Sequence, residues 1–464
     1  MGDLQAIDRY IQESQSKNLD VLKDLLRIPS VSADPAFKES VDQAGQSVMD
    51  TLAAAGLKTE MVETKGPGLV YAETPPVPGK PVALVYGHYD VQPPDPLDLW
   101  ITPPFEPTER DGNLYARGAT DDKGQMLTHV QSVAAWLASG QQLPMQVKFL
   151  IEGEEEVGSE QLEDYLKLPE AAEKLACDVV VISDSTQYAE GQPAITYGLR
   201  GIAYFEIHFH GPKQDLHSGA FGGAVNNPAN ALAKFLSGMI NDAGQIQLPG
   251  FYDSVRPLEQ SERDMWAGLN FSDEEFASQM GVNGLLGEEG YSSLERRWAR
   301  PTFDIHGLWS GYQGEGGKTI IPSKASAKIS FRLVPNQTPE QVAEQLQQYV
   351  EANTPVGIRV EVVDLHGGPG VVVDPQSPFV GAAQKAIQHA FDQPAVLIRE
   401  GGSIPIVASM VDCLEADVLL LGWGLDDDGA HSPNEKFKIK DFHRGIVASS
   451  RLWHELAQVS PKSS

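Results

Sequence analysis

Apolar residues recur at helical spacing over residues 3–26 and predict an opening amphipathic helix that ends at Ile28-Pro29-Ser30. Short apolar runs at 82–85, 147–151 and 179–182 read as buried strands, and the segment 123–137 between two of them has helical spacing. Strands alternating with helices predict a mostly parallel sheet, which places ligands at the C-terminal ends of its strands. The pattern returns near the end of the chain, with a helix at 378–390, a strand at 418–421 and a helix at about 440–458, and these elements are expected to rejoin the first sheet.

The middle of the chain follows a different period. Residues 203–209, 325–333 and 358–363 alternate apolar and polar, as strands with one exposed face do. Helices are predicted at 228–239 and 338–353, the second with Thr338 as N-cap, Pro339 at the first helical position and Gln341 two residues on. The expected fold is α/β, with a catalytic domain built from residues 1–196 and 377–464 and a small α+β domain inserted at 197–376. The polar stretch 249–300 has no clear period and reads as irregular helices decorating the insert.

Composition narrows the function classes. A content of 41% hydrophobic residues is enough for substantial cores, and 35 basic against 64 acidic residues leave a net charge of −29. A field of that sign repels nucleic acid and anionic membranes, so neither is expected as a partner. No cationic stretch followed by an apolar run opens the sequence, no run is long enough to span a bilayer, and position 6 is Ala where a myristoylation signal has Ser or Thr. The two cysteines, Cys177 and Cys413, suggest neither a disulfide framework nor a thiolate metal site. A cytoplasmic protein is the expectation.

The chemistry-bearing residues gather where strands are predicted to end. His88 and Asp90 lie two apart and so on one side of extended chain, with Asp90 placed to fix the imidazole tautomer; alone, such a pair is usually a surface turn. Asp121-Asp122 precedes a predicted helix, where N-capping is the ordinary role of acids. Glu154-Glu155-Glu156 follows a buried strand, Asp184 ends another, and Asp426-Asp427-Asp428 leads to His431. Five His and carboxylate clusters converging on one crevice of one sheet are not five independent surface accidents. Mixed nitrogen and oxygen ligands without thiolate suit Zn²⁺, Mn²⁺ or Co²⁺ and argue against a closed structural zinc site.

The ordered set GHYDVQP, RGATDDKG, EGEEEVGSE, ISD, DLHSGAFGG, RLVP, GGSIP and DDGAHSPNE resembles the M20 family of metallopeptidases, in particular its dipeptidase branch, over about residues 80–440. The resemblance implies a dinuclear-metal catalytic domain with an inserted lid and dimerisation domain, and two divalent metal ions per subunit, Zn or Mn. It makes His88 and Asp184 ligands of one ion, Glu156 and His431 ligands of the other, and Asp121 the bridge. It picks Glu155 as general base, with Glu154 as the alternative, and implies a cis Asp121-Asp122 peptide. His217 would assist the oxyanion, and Arg332, Thr319, Gly402 and Ser403 would hold a substrate carboxylate. His217 and Thr319 would come from the partner subunit of a homodimer.

Elementary chemistry agrees with these roles. Two cations about 3.5 to 4 Å apart can hold a hydroxide and polarise a scissile carbonyl. A carboxylate beside them can move the proton from water to the leaving amine, and a guanidinium can grip a carboxylate through two hydrogen bonds. The expected activity is hydrolysis of dipeptides or other short peptides with a free C-terminal carboxylate. An N-acyl-amino-acid amidohydrolase of the same architecture is the alternative, and a silent scaffold conflicts with a complete ligand set. Ser403 in GGSIP lacks the GxSxG frame of a serine hydrolase.

Overall fold

The structure is a computed structural model that describes residues 3–402 and 404–461. Its contacts divide the chain into a larger unit, running to Tyr197 and resuming at Val373–Ile398 and from Ser409, and a smaller one, Gly198–Val372 with Arg399–Ala408.

The larger unit is organised by a mixed sheet. The predicted strands at 82–85, 147–151, 179–182 and 418–421 are present as Val82–His88, Gln146–Glu152, Val179–Thr186 and Asp417–Gly424. These four are parallel, in the order Gln146–Glu152, Val82–His88, Val179–Thr186, Asp417–Gly424. Antiparallel strands flank them: Leu69–Glu73 and Lys58–Val62 on one side, Ala194–Leu199 on the other. The parallel strands are buried on both faces, which is why they read as mostly apolar runs, interrupted in Gln146–Glu152 by Lys148, whose Nζ donates to the Lys174 and Ala176 carbonyls. Short polar-rimmed strands such as Lys58–Val62 give no such run and do not stand out in the sequence.

Helix Lys123–Ala138 is buried almost all round and packs against the closing helix Ile439–Leu456. The opening segment is not one helix. Leu4–Glu13 and Gln15–Leu26 meet at Ser14, whose φ of −96° and ψ of 4° leave the helical region, consistent with the weak helix preference of serine. The core of this unit joins Ile7, Leu22, Val85, Phe149, Trp136 and Trp453 among others.

The smaller unit holds a four-stranded antiparallel sheet in the order Thr302–Ser310, Lys324–Leu333, Gly201–His210, Arg359–Gly368. Burial alternates along Gly201–His210 residue by residue, as the sequence period predicts. One face packs on helices Pro228–Ser237 and Pro339–Asn353, and Thr338 caps the latter by accepting from the Gln341 N–H. The stretch 249–300 contains three short helices, Gln260–Ala267, Asp273–Gln279 and Ser293–Ala299. Among the described residues no helix is long and apolar enough to cross a membrane.

The turn into helix Lys123–Ala138 is tightly packed. A Cβ at Gly124 would lie 1.9 Å from the Ala119 carbonyl oxygen and 2.7 Å from the Phe437 ring. Gly124→Ala is therefore expected to shift the backbone that carries Asp121 and to cost about 1–3 kcal/mol or more, read as a lower midpoint of thermal unfolding. An unchanged midpoint would show that the turn can relax without cost.

Candidate metal centre

Five of the residues singled out by their chemistry are drawn together at the C-terminal rim of the parallel strands. His88 ends the strand Val82–His88, and Asp184 lies near the end of Val179–Thr186. Glu156 sits in the single turn Glu155–Val157 that follows Gln146–Glu152, and His431 in the loop after Asp417–Gly424. Asp121 arrives differently from the expectation that every cluster follows a strand of one sheet. It comes after the small hairpin Thr108–Arg110 and Asn113–Tyr115, directly before helix Lys123–Ala138, and its bond to Asp122 is cis.

The donor atoms form two groups that share one residue, His88, Asp121 and Asp184 in the first and Asp121, Glu156 and His431 in the second. His88 Nε2 lies 3.2 Å from Asp121 Oδ1 and 4.0 Å from Asp184 Oδ2. His431 Nε2 lies 2.9 Å from Asp121 Oδ2 and 3.3 Å from Glu156 Oε2. The two oxygens of Asp121 thus face different imidazoles. Bonds of about 2.0–2.1 Å to a tetrahedral cation put donors about 3.3 Å apart, and the donor pairs here lie between 2.9 and 4.0 Å apart.

The tautomer of His88 also fits a cation. Nδ1 faces the Asp90 carbonyl at 3.1 Å and Asp90 Oδ1 at 3.3 Å, so it carries the hydrogen. Nε2 is left buried and without an aligned hydrogen-bond partner, its lone pair directed at carboxylate oxygens. Two facing lone-pair bearers repel unless a proton or a metal ion lies between them.

Neighbouring hydrogen bonds hold the donors in place. The Asp90 carboxylate accepts the backbone N–H groups of Glu155 at 3.3 Å and Glu156 at 3.2 Å, so it fixes this turn as well as the His88 ring. Gln92, not singled out in the sequence, donates its N–H to Glu156 Oε1 at 3.1 Å and its Nε2 to Oε2 at 2.8 Å. It lies inside the GHYDVQP motif, two residues past Asp90, and that position is the signal that could have found it. Asp428, one of three consecutive acids, closes the His431 loop by accepting from Leu425 N–H and Lys436 Nζ, both at 2.8 Å.

Crowding shapes the proton affinities. Burial, with Asp121 and Asp122 beside it, raises Asp184 well above the carboxylate range against the pull of His88. Burial would also raise Asp121, but the imidazoles of His431 and His88 beside it prevail and hold it below that range. Burial pushes Glu155 up to about 7, with His88 opposing and Glu156, Asp121 and Asp90 adding to the rise. Burial opposes charge on His88, yet Asp121 and Asp90 hold its pKa well above the ordinary imidazole value. Hydrogen bonds to Asp121 and Glu156 raise His431 to about 10.

The remaining residues of interest lie in the smaller unit. His217 pairs opposite Ile320 in the ribbon Leu216–His217 with Ile320–Ile321, and the next N–H, of Ser218, donates to the Thr319 carbonyl at 3.1 Å. His217 and Thr319 are therefore neighbours. Arg332 lies on Lys324–Leu333, opposite Thr302 and Ile202, with Arg200 and Asp304 near enough to perturb the local charge. Gly402 is exposed beside Gly401, whose carbonyl accepts from Arg200 Nε at 3.2 Å. Ser403 lies outside the described residues.

A family model described as Peptidase family M20/M25/M40 matches residues 84–455. The chain is 33% identical over 472 residues to Cys-Gly metallodipeptidase dug1 of Schizosaccharomyces pombe, covering 99% of each chain. It is 32% identical over 484 residues to Beta-Ala-His dipeptidase of Rattus norvegicus, covering 99% of this chain and 96% of that one. The solved structure of the dipeptidase Dug1p from Saccharomyces cerevisiae superposes with a TM-score of 0.86 at 33% identity, covering 99% of both chains.

Cation binding should displace protons, because His431 keeps its proton up to a pKa of about 10. Titration calorimetry with Mn²⁺ or Zn²⁺ at pH 7.5, in buffers of different ionisation heat, is expected to show proton release. The apparent affinity should fall as pH is lowered, by about tenfold per unit for each proton displaced. Binding with no proton release would mean that His431 does not meet the ion.

Proposed function

The chain belongs to Peptidase family M20/M25/M40, and from that premise we propose that it hydrolyses the peptide bond of dipeptides or other short peptides with a free C-terminal carboxylate, using two divalent cations. The observation that carries this reading is the division of the Asp121 oxygens between two His and carboxylate groups. The first ion would be held by His88, Asp121 and Asp184, the second by Asp121, Glu156 and His431. Zn²⁺ and Mn²⁺ both suit this donor set. Ions held there would polarise a scissile carbonyl and acidify a water molecule near neutral pH.

The chain's own residues do the rest. Glu155, brought to about 7 by burial, is poised to take a proton from the attacking water and return it to the leaving amine. Glu154 is less suited, because its carboxylate is already engaged by the Gln161 backbone N–H. Asp90 keeps the hydrogen of His88 on Nδ1 and steadies the turn on which Glu155 sits. His217 would donate to the developing oxyanion. Arg332, Thr319, Gly402 and Ser403 would hold the C-terminal carboxylate, with Arg332 supplying the charge. The names of the relatives, Cys-Gly metallodipeptidase and Beta-Ala-His dipeptidase, support dipeptides as the substrate class.

A panel of dipeptides, their C-terminal amides and N-acyl amino acids, assayed with Mn²⁺ and Zn²⁺, tests the reading. Cleavage of free dipeptides is expected, strongly weakened by amidation. Preference for N-acyl amino acids would make the protein a deacylase instead. Glu155→Gln should bind cations as the wild type does yet lose turnover by about 10²–10⁴-fold. Normal turnover in that variant would move the base to Glu154.

The reading includes a homodimer in which the ribbon carrying His217 and Thr319 serves the site of the partner subunit. The adjacency of these two residues supports their acting together. Glu155→Ala and His217→Ala proteins should each be nearly inactive. After random subunit exchange between equal amounts, roughly a quarter of wild-type activity should return, since half of the dimers are mixed and each has one intact composite site. No recovery from confirmed heterodimers would remove the composite site.

A further inference from the structure

One buried carboxylate gathers several of the segments that present the second ligand group. Glu435 is fully buried, four residues beyond His431. Its Oε2 accepts from Arg117 Nη1 at 2.8 Å and from the Gly118 N–H at 2.9 Å. Its Oε1 accepts from the N–H groups of Thr120 at 2.9 Å and Asp121 at 3.2 Å. The Ala116 N–H donates to the Glu435 carbonyl at 3.1 Å, so the residue binds the loop 116–121 from end to end. Arg117 continues the connection, because its Nη2 donates to the Pro93 carbonyl at 3.2 Å, one residue from Gln92 and its grip on Glu156.

Four donors converge on two oxygens, and only a carboxylate matches that demand. An amide would offer one oxygen and turn an NH₂ group towards two other donors. Both Glu435 oxygens are taken up by these four donors, so Glu435 acts through Asp121, His431 and Glu156. We propose that Glu435 is a positioning residue for the second ion, fixing Asp121 so that one carboxylate oxygen faces each group. The proposal rests on the two-ion reading of the site. Partners that orient ligands in this way are worth about 10- to 100-fold in metal affinity when removed.

The contrary view is that Glu435 merely neutralises Arg117 inside the fold. A charge left unpaired by Glu435→Gln would then explain any loss through instability. The double variant Glu435→Gln with Arg117→Met separates the two, because it removes both charges of the buried pair. Mn²⁺ and Zn²⁺ are titrated calorimetrically into metal-free wild type and both variants, with thermal unfolding of each metal-free protein measured alongside. Wild type should take up two equivalents, and Glu435→Gln should bind one of them at least about tenfold more weakly. The double variant should recover thermal stability without recovering that affinity. Wild-type affinity in Glu435→Gln, or affinity returning together with stability in the double variant, would overturn the positioning role. Wild type binding fewer than two equivalents would instead overturn the two-ion reading itself.

Discussion

Like charges held together in a low-dielectric interior repel, and this structure depends on how it accommodates that repulsion. Asp121, Glu156 and Asp184 meet around only two imidazoles, with Asp90 and Glu155 close by. The fold offsets part of the charge with oriented N–H groups: two from the turn Glu155–Val157 reach Asp90, and the backbone and side chain of Gln92 reach Glu156. Both oxygens of Asp121 and one oxygen each of Asp184 and Glu156 still face His88 and His431. A parallel sheet suits this arrangement because its strands deliver residues to one rim while their apolar bodies stay covered on both faces.

Much of this was legible in the amino-acid sequence, and the reason lies in burial. Strands covered on both faces are predominantly apolar, so 179–182 and, apart from Lys148, 147–151 announce themselves, and the acids that follow them are conspicuous by contrast. The alternation of 203–209 is equally plain because one face of that strand packs on helices. Asp121 is the informative exception. No apolar strand leads to it, and it reaches the rim through a hairpin of two three-residue strands and a turn whose tightness is visible only as the crowding around Gly124. The supporting groups were the least legible part. Gln92 and Glu435 are ordinary polar residues until the hydrogen bonds they make are seen, although both stand within motifs that carry ligands.

The smaller unit shows the opposite balance. Its sheet and helices follow from periodicity, but the candidate substrate residues on it have no chemical signature of their own. His217 is an exposed imidazole in a glycine-rich turn, its Nδ1 accepting from the Gly219 N–H, and Thr319 neighbours it only through pairing of two very short strands. Their proposed roles come from the family resemblance. The candidate metal ligands, by contrast, can be argued from charge and geometry.

The placement of resident cations supports a site kept for exogenous ones. Lys123 is fully buried two residues past Asp121, yet its ammonium group is spent on the carbonyls of Leu25 and Ile28 near the end of helix Gln15–Leu26. Arg117, four residues before Asp121, is paired with Glu435. Among the described residues, no lysine or arginine forms an ion pair with Asp121, Glu156 or Asp184; their ion-pair partners are histidines alone. A fold selected for stability by itself would place a lysine among such carboxylates, since a buried charge without a partner is costly. Here the nearby cations are held on other acceptors, and the compensation falls to His88 and His431. An imidazole, unlike a lysine ammonium, can give up its proton and offer a nitrogen lone pair in its place, so this choice of partner suits a donor set for divalent cations.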